Sequence, residues 1–356
     1  MTAVAHRRKV PVLLMVSGGS DSMALLELAV KYTRGSATTS FRLDPAESER
    51  TRLLKMLGAS LPPADCCELS VLHVNHMLRG RQADDDEAFV IAQCANLAVP
   101  CTTRRVDVVA LAEQRKDGVE AVARQVRYRL ADELLDAECV RMGVEASEGV
   151  ICTAHTLDDR IETFYMRSLV GTGPGGLGSI PRRRGRVRRP LLDATREELR
   201  GWLRARNPGA ADYELWRDDP TNDDGSNFRS RVRHELMPVL RQLRPRFESA
   251  LASTMDLISA EDEEISQLVD SIVYRNLSWD GCTAHMPVDV IVRQPRFFIR
   301  RIVRAYLLVV RPEARLEAAQ IERVADGLQQ EGFTTEVSGG IRVRVAGGQL
   351  VASVEQ

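Results

Sequence analysis

Lysine is almost missing from this chain. It occurs only at positions 9, 31, 55 and 116, so arginine supplies nearly all of the 49 basic residues. Aromatic residues make up just 5%. The 7 cysteines are odd in number and scattered apart from Cys66-Cys67, which speaks against a disulfide framework, and no Cys-x-x-Cys suggests a zinc or iron–sulfur site. The longest apolar run, Val10 to Val16, is far short of the roughly 20 residues that cross a bilayer, so no membrane span is expected. Arg7, Arg8 and Lys9 ahead of that run give it a signal-like start. However, Pro11 interrupts it, and Ser17-Gly18-Gly19-Ser20-Asp21 stands where a cleavage site would be. A reducing, cytoplasmic setting is expected.

What is present fits a folded chain of two or three domains: 356 residues, 44% hydrophobic and 28% charged. The net charge of -1 hides a strong division along the sequence. Residues 181–246 hold 17 arginines and 10 acids, a local excess of +7, whereas residues 247–356 carry -5. The middle segment is therefore the part suited to a polyanion.

The first half alternates short apolar runs with helical patterns, the signature of β-α units feeding a parallel sheet. Strands are expected at Val10 to Val16, Leu69 to Val74, Cys101 to Val106 and Gly149 to Thr153, with a fifth through Val187 to Leu191. Helices are expected at Ser22 to Tyr32, Asp84 to Ala98, Val119 to Leu135 and Leu157 to Leu169. Residues 33–65 form an excursion with a small helix near Ser48 to Leu57. After Asp193 the pattern is mainly helical, and it closes on three short strands separated by Gly339-Gly340 and Gly347-Gly348. The domain boundary falls near Pro245. This divides an α/β domain over 1–245 from a smaller, mainly helical α+β domain over 246–356.

Ser17-Gly18-Gly19-Ser20-Asp21-Ser22 follows the first strand and precedes a helix. Small residues there let successive amides and the helix N-terminus converge on a phosphate. An ordinary capped turn is the bland alternative. No Gly-Lys-Ser/Thr follows, so the lysine that serves γ-phosphoryl transfer is missing and pyrophosphate-holding chemistry is favoured. His73 and His76 end the second strand, where ligands gather in open α/β sheets. Asp158 and Asp159 share a predicted helix with Glu162. At i,i+3 and i,i+4 spacing such carboxylates need a cation close by: Mg²⁺, a substrate ammonium or arginine. First-turn acids also stabilise a helix with no further role.

The loop resembles the PP-loop of N-type ATP pyrophosphatases. With His73-Val74-Asn75-His76, Glu120 to Tyr128, Thr153 to Thr163, Gly171-Thr172-Gly173, Arg189-Pro190-Leu191-Leu192, Trp216 to Asn222 and Arg229 to His234, the set resembles the tRNA(Ile)-lysidine synthases over residues 10–245. The C-terminal part resembles that family's tRNA-binding domain. The resemblance implies an adenine-nucleotide-hydrolase-like parallel-sheet fold. It also implies ATP-dependent adenylation of the wobble cytidine of a CAU-anticodon isoleucine tRNA, with free L-lysine then displacing AMP. Asp21, His155, Asp159 and Glu162 would be catalytic. Ser17, Gly18, Gly19, Ser20, Asp21, Ser22 and His73 would hold ATP, with Asp21 on Mg²⁺. Arg124, Arg127, Arg189, Arg229 and Arg233 would contact substrate. Departures from the family pattern include Met77 for a usual glycine and Arg160 for a common glutamine. A tRNA thiolase or an amide synthetase is the alternative within the same loop chemistry, and a catalytically silent binding module is the alternative outside it. The run Arg182 to Arg189 suits an RNA backbone. The oligomeric state is left open, a homodimer included.

Overall fold

The computed structural model describes residues 8–35, 45–218 and 227–354. These divide into two compact units, Met1–Asp256 and Leu257–Gln356.

The first unit is built on strands β1 (Val10–Met15), β2 (Cys67–Asn75), β3 (Cys101–Arg105), β4 (Val150–Cys152), β5 (Arg183–Arg184) and β6 (Val187–Arg188). Their order is β3-β2-β1-β4-β6-β5, parallel except for β5. The sheet is thus six-stranded, with an antiparallel hairpin at one edge instead of a fifth strand running on to Leu191. Gly185 at φ +57 makes that hairpin's turn, a backbone conformation glycine adopts without steric cost.

The helices are α1 (Ser20–Arg34), α2 (Pro45–Ser60), α3 (Arg81–Asn96), α4 (Val108–Arg115), α5 (Val119–Met142), α6 (Leu157–Val170), α7 (Pro174–Leu177), α8 (Arg196–Arg206), α9 (Asp212–Leu215), α10 (Phe228–Arg231) and α11 (Met237–Leu243). Alternation along β1 explains why both sheet faces are covered. Val12 and Leu14 point into a core with α1, α2, α3 and α8, while Leu13 points into another with Leu72, Ile151 and Ala131, Leu135 and Cys139 of α5. The excursion is part of this architecture, since Leu53, Leu57 and Leu61 are buried in the α1 core. Residues 36–44 of it lie outside the described residues, as do 219–226, which take the end of the Trp216 to Asn222 motif.

The chain leaves β1 toward β2 and β3 on one side, then returns to place β4 on the other. The crevice at the C-terminal ends of β1 and β4 is the topological switch point, the place where such sheets hold ligands.

Helix α12 (Phe247–Asn276) carries the division between the units, which falls at Asp256 and not at Pro245. The reason lies in its first turns. Phe247, Leu251, Ala252 and Met255 pack with Leu157 and Ile161 of α6, so they belong to the first core. The second unit has β7 (Ser278–Asp280), β8 (Thr283–Pro287), α13 (Val288–Val292), α14 (Arg296–Val310), α15 (Ala318–Gly327), β9 (Thr334–Val337), β10 (Ile341–Ala346) and β11 (Gln349–Val354). The closing strands join the unforeseen β7 and β8 in an antiparallel sheet ordered β7-β8-β11-β10-β9. Ile302, Val303 and Leu307 of α14 pack on Ala284, Met286, Val343 and Leu350 of that sheet. Tyr306 Oη lies 2.6 Å from the Ala284 carbonyl.

Candidate active site

The loop after β1 is held by its own last serine. Ser22 Oγ accepts from the amides of Ser17 and Gly18, both at 3.2 Å, and donates to the Gly19 carbonyl at 2.9 Å. Gly18 turns the chain at φ +97. The amides of residues 17 and 18 are therefore committed to shaping the loop, and the first-turn amides of α1 are those that helix geometry leaves for a phosphate. His73 supports the loop from below: it is buried, with Nδ1 2.9 Å from the Val16 carbonyl. Burial pushes its imidazole below the usual histidine range. Ser20 is buried too, 3.3 Å from Arg200 Nε.

Helix α6 starts where β4 ends. Thr156 caps it, and Asp159 completes a reciprocal box, its Oδ2 taking the Thr156 amide at 2.9 Å. The other oxygen, Oδ1, is left for the site. One turn on, Glu162 is turned inward and is 2% exposed. Asp159 thus both caps the helix and serves the charge cluster, so the two readings of this acid do not compete.

Six charges alternate across the switch point. Asp21 Oδ2 meets Arg196 Nε at 3.1 Å, and Arg196 reaches Asp159 Oδ1 at 3.5 Å. The same oxygen takes Arg229 at 2.8 Å; Arg229 Nε meets Glu162 at 2.7 Å, and Arg233 grips both Glu162 oxygens at 2.7 and 3.1 Å. Of the three cations that could sit beside the paired carboxylates, this structure uses arginine. Arg229 and Arg233 come from the segment where α10 passes into a π-helical turn, Val232–Leu236. Such wide turns recur at functional sites. Asp158 stands apart from this chain of charges: it accepts the Arg196 amide at 2.8 Å and pairs with Arg241 at 3.5 Å, which anchors the start of α8.

The cluster sets the charge states. Burial pushes the Asp21 carboxyl above its ordinary value, against the pull of Arg196. Burial would raise Asp159 as well, but Arg229 and Arg196 outweigh it and hold the carboxyl below the ordinary value. Burial drives His155 down to about 4, against Asp159 and with the help of Arg189, Arg124 and Arg229. At neutral pH, His155 is an uncharged imidazole whose Nδ1 lies 2.9 Å from Thr153 Oγ1. A cavity of about 420 Å³ adjoins the cluster, lined by Asp158, Glu162, Arg196, Arg200, Arg233 and Arg241 among others.

The remaining expected residues divide. Arg189 is buried and donates to the Pro181 carbonyl at 2.8 Å. Arg124 is exposed and stacks over Tyr128 at 5.1 Å. In the basic run, Arg182 is tied to Asp193 and Asp256, and Arg186 to Asp132 and Asp136, leaving Arg183 and Arg184 on the exposed hairpin. The glycine-rich segment after α6 contains the single turn α7 and is tied back by Arg167, which donates to the Gly176 and Ser179 carbonyls. Arg196 and Arg200 were not singled out by sequence. The usable signal was their i,i+4 spacing at the start of the helix that Thr195 and Glu198 cap, which orients both toward one side of α8. No group of three or more His, Cys, Asp or Glu arranged to hold a metal occurs among the described residues. No described helix is long and apolar enough to cross a membrane.

The PP-loop domain family matches residues 2–240. Among curated proteins, the tRNA(Ile)-lysidine synthase of Geobacter sulfurreducens is 32% identical over 88% of this chain and 58% of its own length. That of Chlorobaculum tepidum is 33% identical over 80% of this chain and 72% of its own. Among solved structures, the U34-tRNA thiolase NcsA from Methanococcus maripaludis aligns with a TM-score of 0.48 at 13% identity, covering 73% of this chain and 75% of that one. The chain spans 40 to 58% of the length of several of the curated relatives it matches.

Proposed function

The chain belongs to the tRNA(Ile)-lysidine synthase family of PP-loop proteins, and from that premise we propose that it ligates free L-lysine to carbon-2 of the wobble cytidine of CAU-anticodon isoleucine tRNA. ATP is consumed to AMP and pyrophosphate through an adenylated tRNA. The observation that carries this reading is the link, through the single side chain of Arg196, between the loop carboxylate Asp21 and the α6 carboxylate Asp159. A loop suited to phosphate and an acid pair suited to a cation would then meet at one switch point, which supports a reaction between a nucleotide and an amine.

The roles follow from the charge states. The loop and the α1 N-terminus would receive the phosphates of ATP. Asp21 is the residue suited to Mg²⁺: it is a carboxylate at the phosphate site that already neighbours a cation, and Mg²⁺ usually takes one or two carboxylates beside phosphate oxygens. The ion would offset phosphate charge there. Asp159 stays ionised at neutral pH, and with Glu162 it suits an ammonium group in exchange for an arginine. His155, uncharged, can accept a hydrogen bond without adding positive charge. Arg124, Arg127, Arg189, Arg229 and Arg233 are proposed as substrate contacts, in a cytoplasmic enzyme whose assembly into a homodimer is open to test by sedimentation.

The test is incorporation of radiolabelled lysine into unmodified CAU-anticodon isoleucine tRNA with ATP and Mg²⁺, followed by nucleoside analysis. Lysidine at the wobble position is the expected product. Pyrophosphate release without lysine incorporation would move the function to another acceptor of the same loop chemistry.

A further inference from the structure

The carboxylates of the site are all paired, but several buried polar atoms near it, the Nε of Arg189 included, are not. Among the described residues, both ring nitrogens of His76 and the Nε of Arg127 are buried without a hydrogen-bond partner. An unmet buried polar atom is costly, so the three atoms of His76 and Arg127 call for an occupant. Two observations put the group on the working side of the sheet. His76 directly follows β2 at its C-terminal end, and the next residue, Met77, has φ +56, strain of a kind that gathers at functional sites. Arg127 lies in the field of Arg124, whose charge also acts on His155.

Burial, with Arg127 and His73 adding to it, pushes His76 down to about 4. Its ring is therefore neutral at physiological pH, with one N–H donor and one bare acceptor nitrogen, whereas Arg127 can only donate. An anion could take the guanidinium N–H and the ring N–H, but only an occupant that itself donates can use the acceptor nitrogen. One acceptor beside one donor is instead complementary to a base edge with an exocyclic amine next to an unprotonated ring nitrogen. Cytosine and adenine present that edge; uracil and guanine present its reverse.

We propose that His76 and Arg127 read the Watson–Crick edge of an amino-bearing nucleobase at the catalytic site, His76 accepting from the exocyclic amine and Arg127 donating to the ring nitrogen. The inference rests on the lysidine reading for its two sources of such an edge, the acceptor cytosine of the tRNA and the adenine of ATP. Reading a single-stranded base along this edge is common in RNA recognition.

The experiment uses the full chain with His76→Phe, His76→Gln and Arg127→Gln. Pyrophosphate release is followed with CAU-anticodon isoleucine tRNA and with the same tRNA carrying a wobble uridine. Binding of ATP and of GTP without tRNA is followed by equilibrium dialysis. A fall of about tenfold or more in kcat/KM for the cytidine tRNA in His76→Phe and Arg127→Gln, with a reduced cytidine-over-uridine preference and unmoved ATP binding, assigns the edge to the acceptor. A fall of about tenfold in ATP affinity with loss of the ATP-over-GTP preference assigns it to adenine. His76→Gln, which keeps an acceptor and a donor, should retain part of whichever preference His76→Phe loses. Preferences within about twofold of wild type in both His76→Phe and Arg127→Gln would overturn the proposal, as would equal damage in His76→Gln and His76→Phe. If the wild-type chain shows no tRNA-dependent turnover, the lysidine reading fails by itself and the dialysis alone decides on His76 and Arg127.

Discussion

Replacing Arg196 by methionine keeps the aliphatic stem and removes the one guanidinium seen to touch both Asp21 and Asp159. Two charge-assisted contacts are lost, at 3.1 and 3.5 Å, between side chains only 14 to 24% exposed. The shorter contributes about 1.5–3 kcal/mol and the longer less, while leaving the two acids to face each other adds a repulsive share. A loss of about 3 kcal/mol at pH 8 is expected. In a domain of this size that lowers Tm by about 6–12 °C. The pH dependence has a definite sign. Arg196 lowers both carboxyls, so its removal raises both. A carboxyl whose folded pKa lies above its unfolded value contributes stability that is present at low pH and lost as pH rises through the folded pKa. The damage should therefore be smaller at pH 5, where Asp21, already raised by burial, takes up a proton more readily, than at pH 8. Thermal or urea melts of wild type and Arg196→Met at the two pH values measure this. An equal loss at both would refute the claim that the guanidinium acts by offsetting paired acids.

Asp21→Asn should lower adenylation at least about a hundredfold, since it removes a charge at the phosphate site. Its stability at neutral pH should be unchanged or raised, because burial disfavours the ionised carboxyl that is replaced, and a calorimetric scan beside the pyrophosphate assay checks both halves. The double variant Arg183→Ala/Arg184→Ala should flatten the salt dependence of tRNA binding by about one to two in slope. Arg182→Ala should instead lower Tm, because that side chain is tied to Asp193 and Asp256, and binding isotherms with melts separate the two effects. Met77→Gly should raise stability by about 1 kcal/mol, read from urea midpoints, by relieving the left-handed backbone at φ +56.

The legible parts of the fold were those where one residue type does one thing. Val12, Leu13 and Leu14 announce a strand buried on both faces, and Leu157 to Leu169 announces α6 through its apolar spacing and acidic first turn. The small residues of the loop and the acids Asp159 and Glu162 were legible for the same reason. Arg196 was not, because one arginine among the 17 of residues 181–246 looks like any other. Its partner Asp21 lies 175 positions away, beyond any local pattern. The β5–β6 hairpin hid inside a basic run, and β7 is three exposed residues with no alternation to reveal it. That the His73 ring is turned to the Val16 carbonyl depends on packing across two strands, which no local pattern of the sequence carries.

The ion cluster around Arg160 bears on how this sequence can have come about. Its guanidinium is 2% exposed and depends on Asp256 at 2.8 Å and Asp193 at 3.4 Å, while both acids also receive Arg182. An arginine arriving at position 160 before the acids were in place would have been an unpaired charge in the interior, a step of several kcal/mol against folding. The acids are each more than a third exposed and could have arrived first at little cost. The order of substitution is thus constrained, and going back to a neutral residue at 160 leaves surface acids that Arg182 still satisfies. In related sequences, position 160 should hold arginine only where acids stand at 193 and 256, whereas acids at those positions need not imply the arginine.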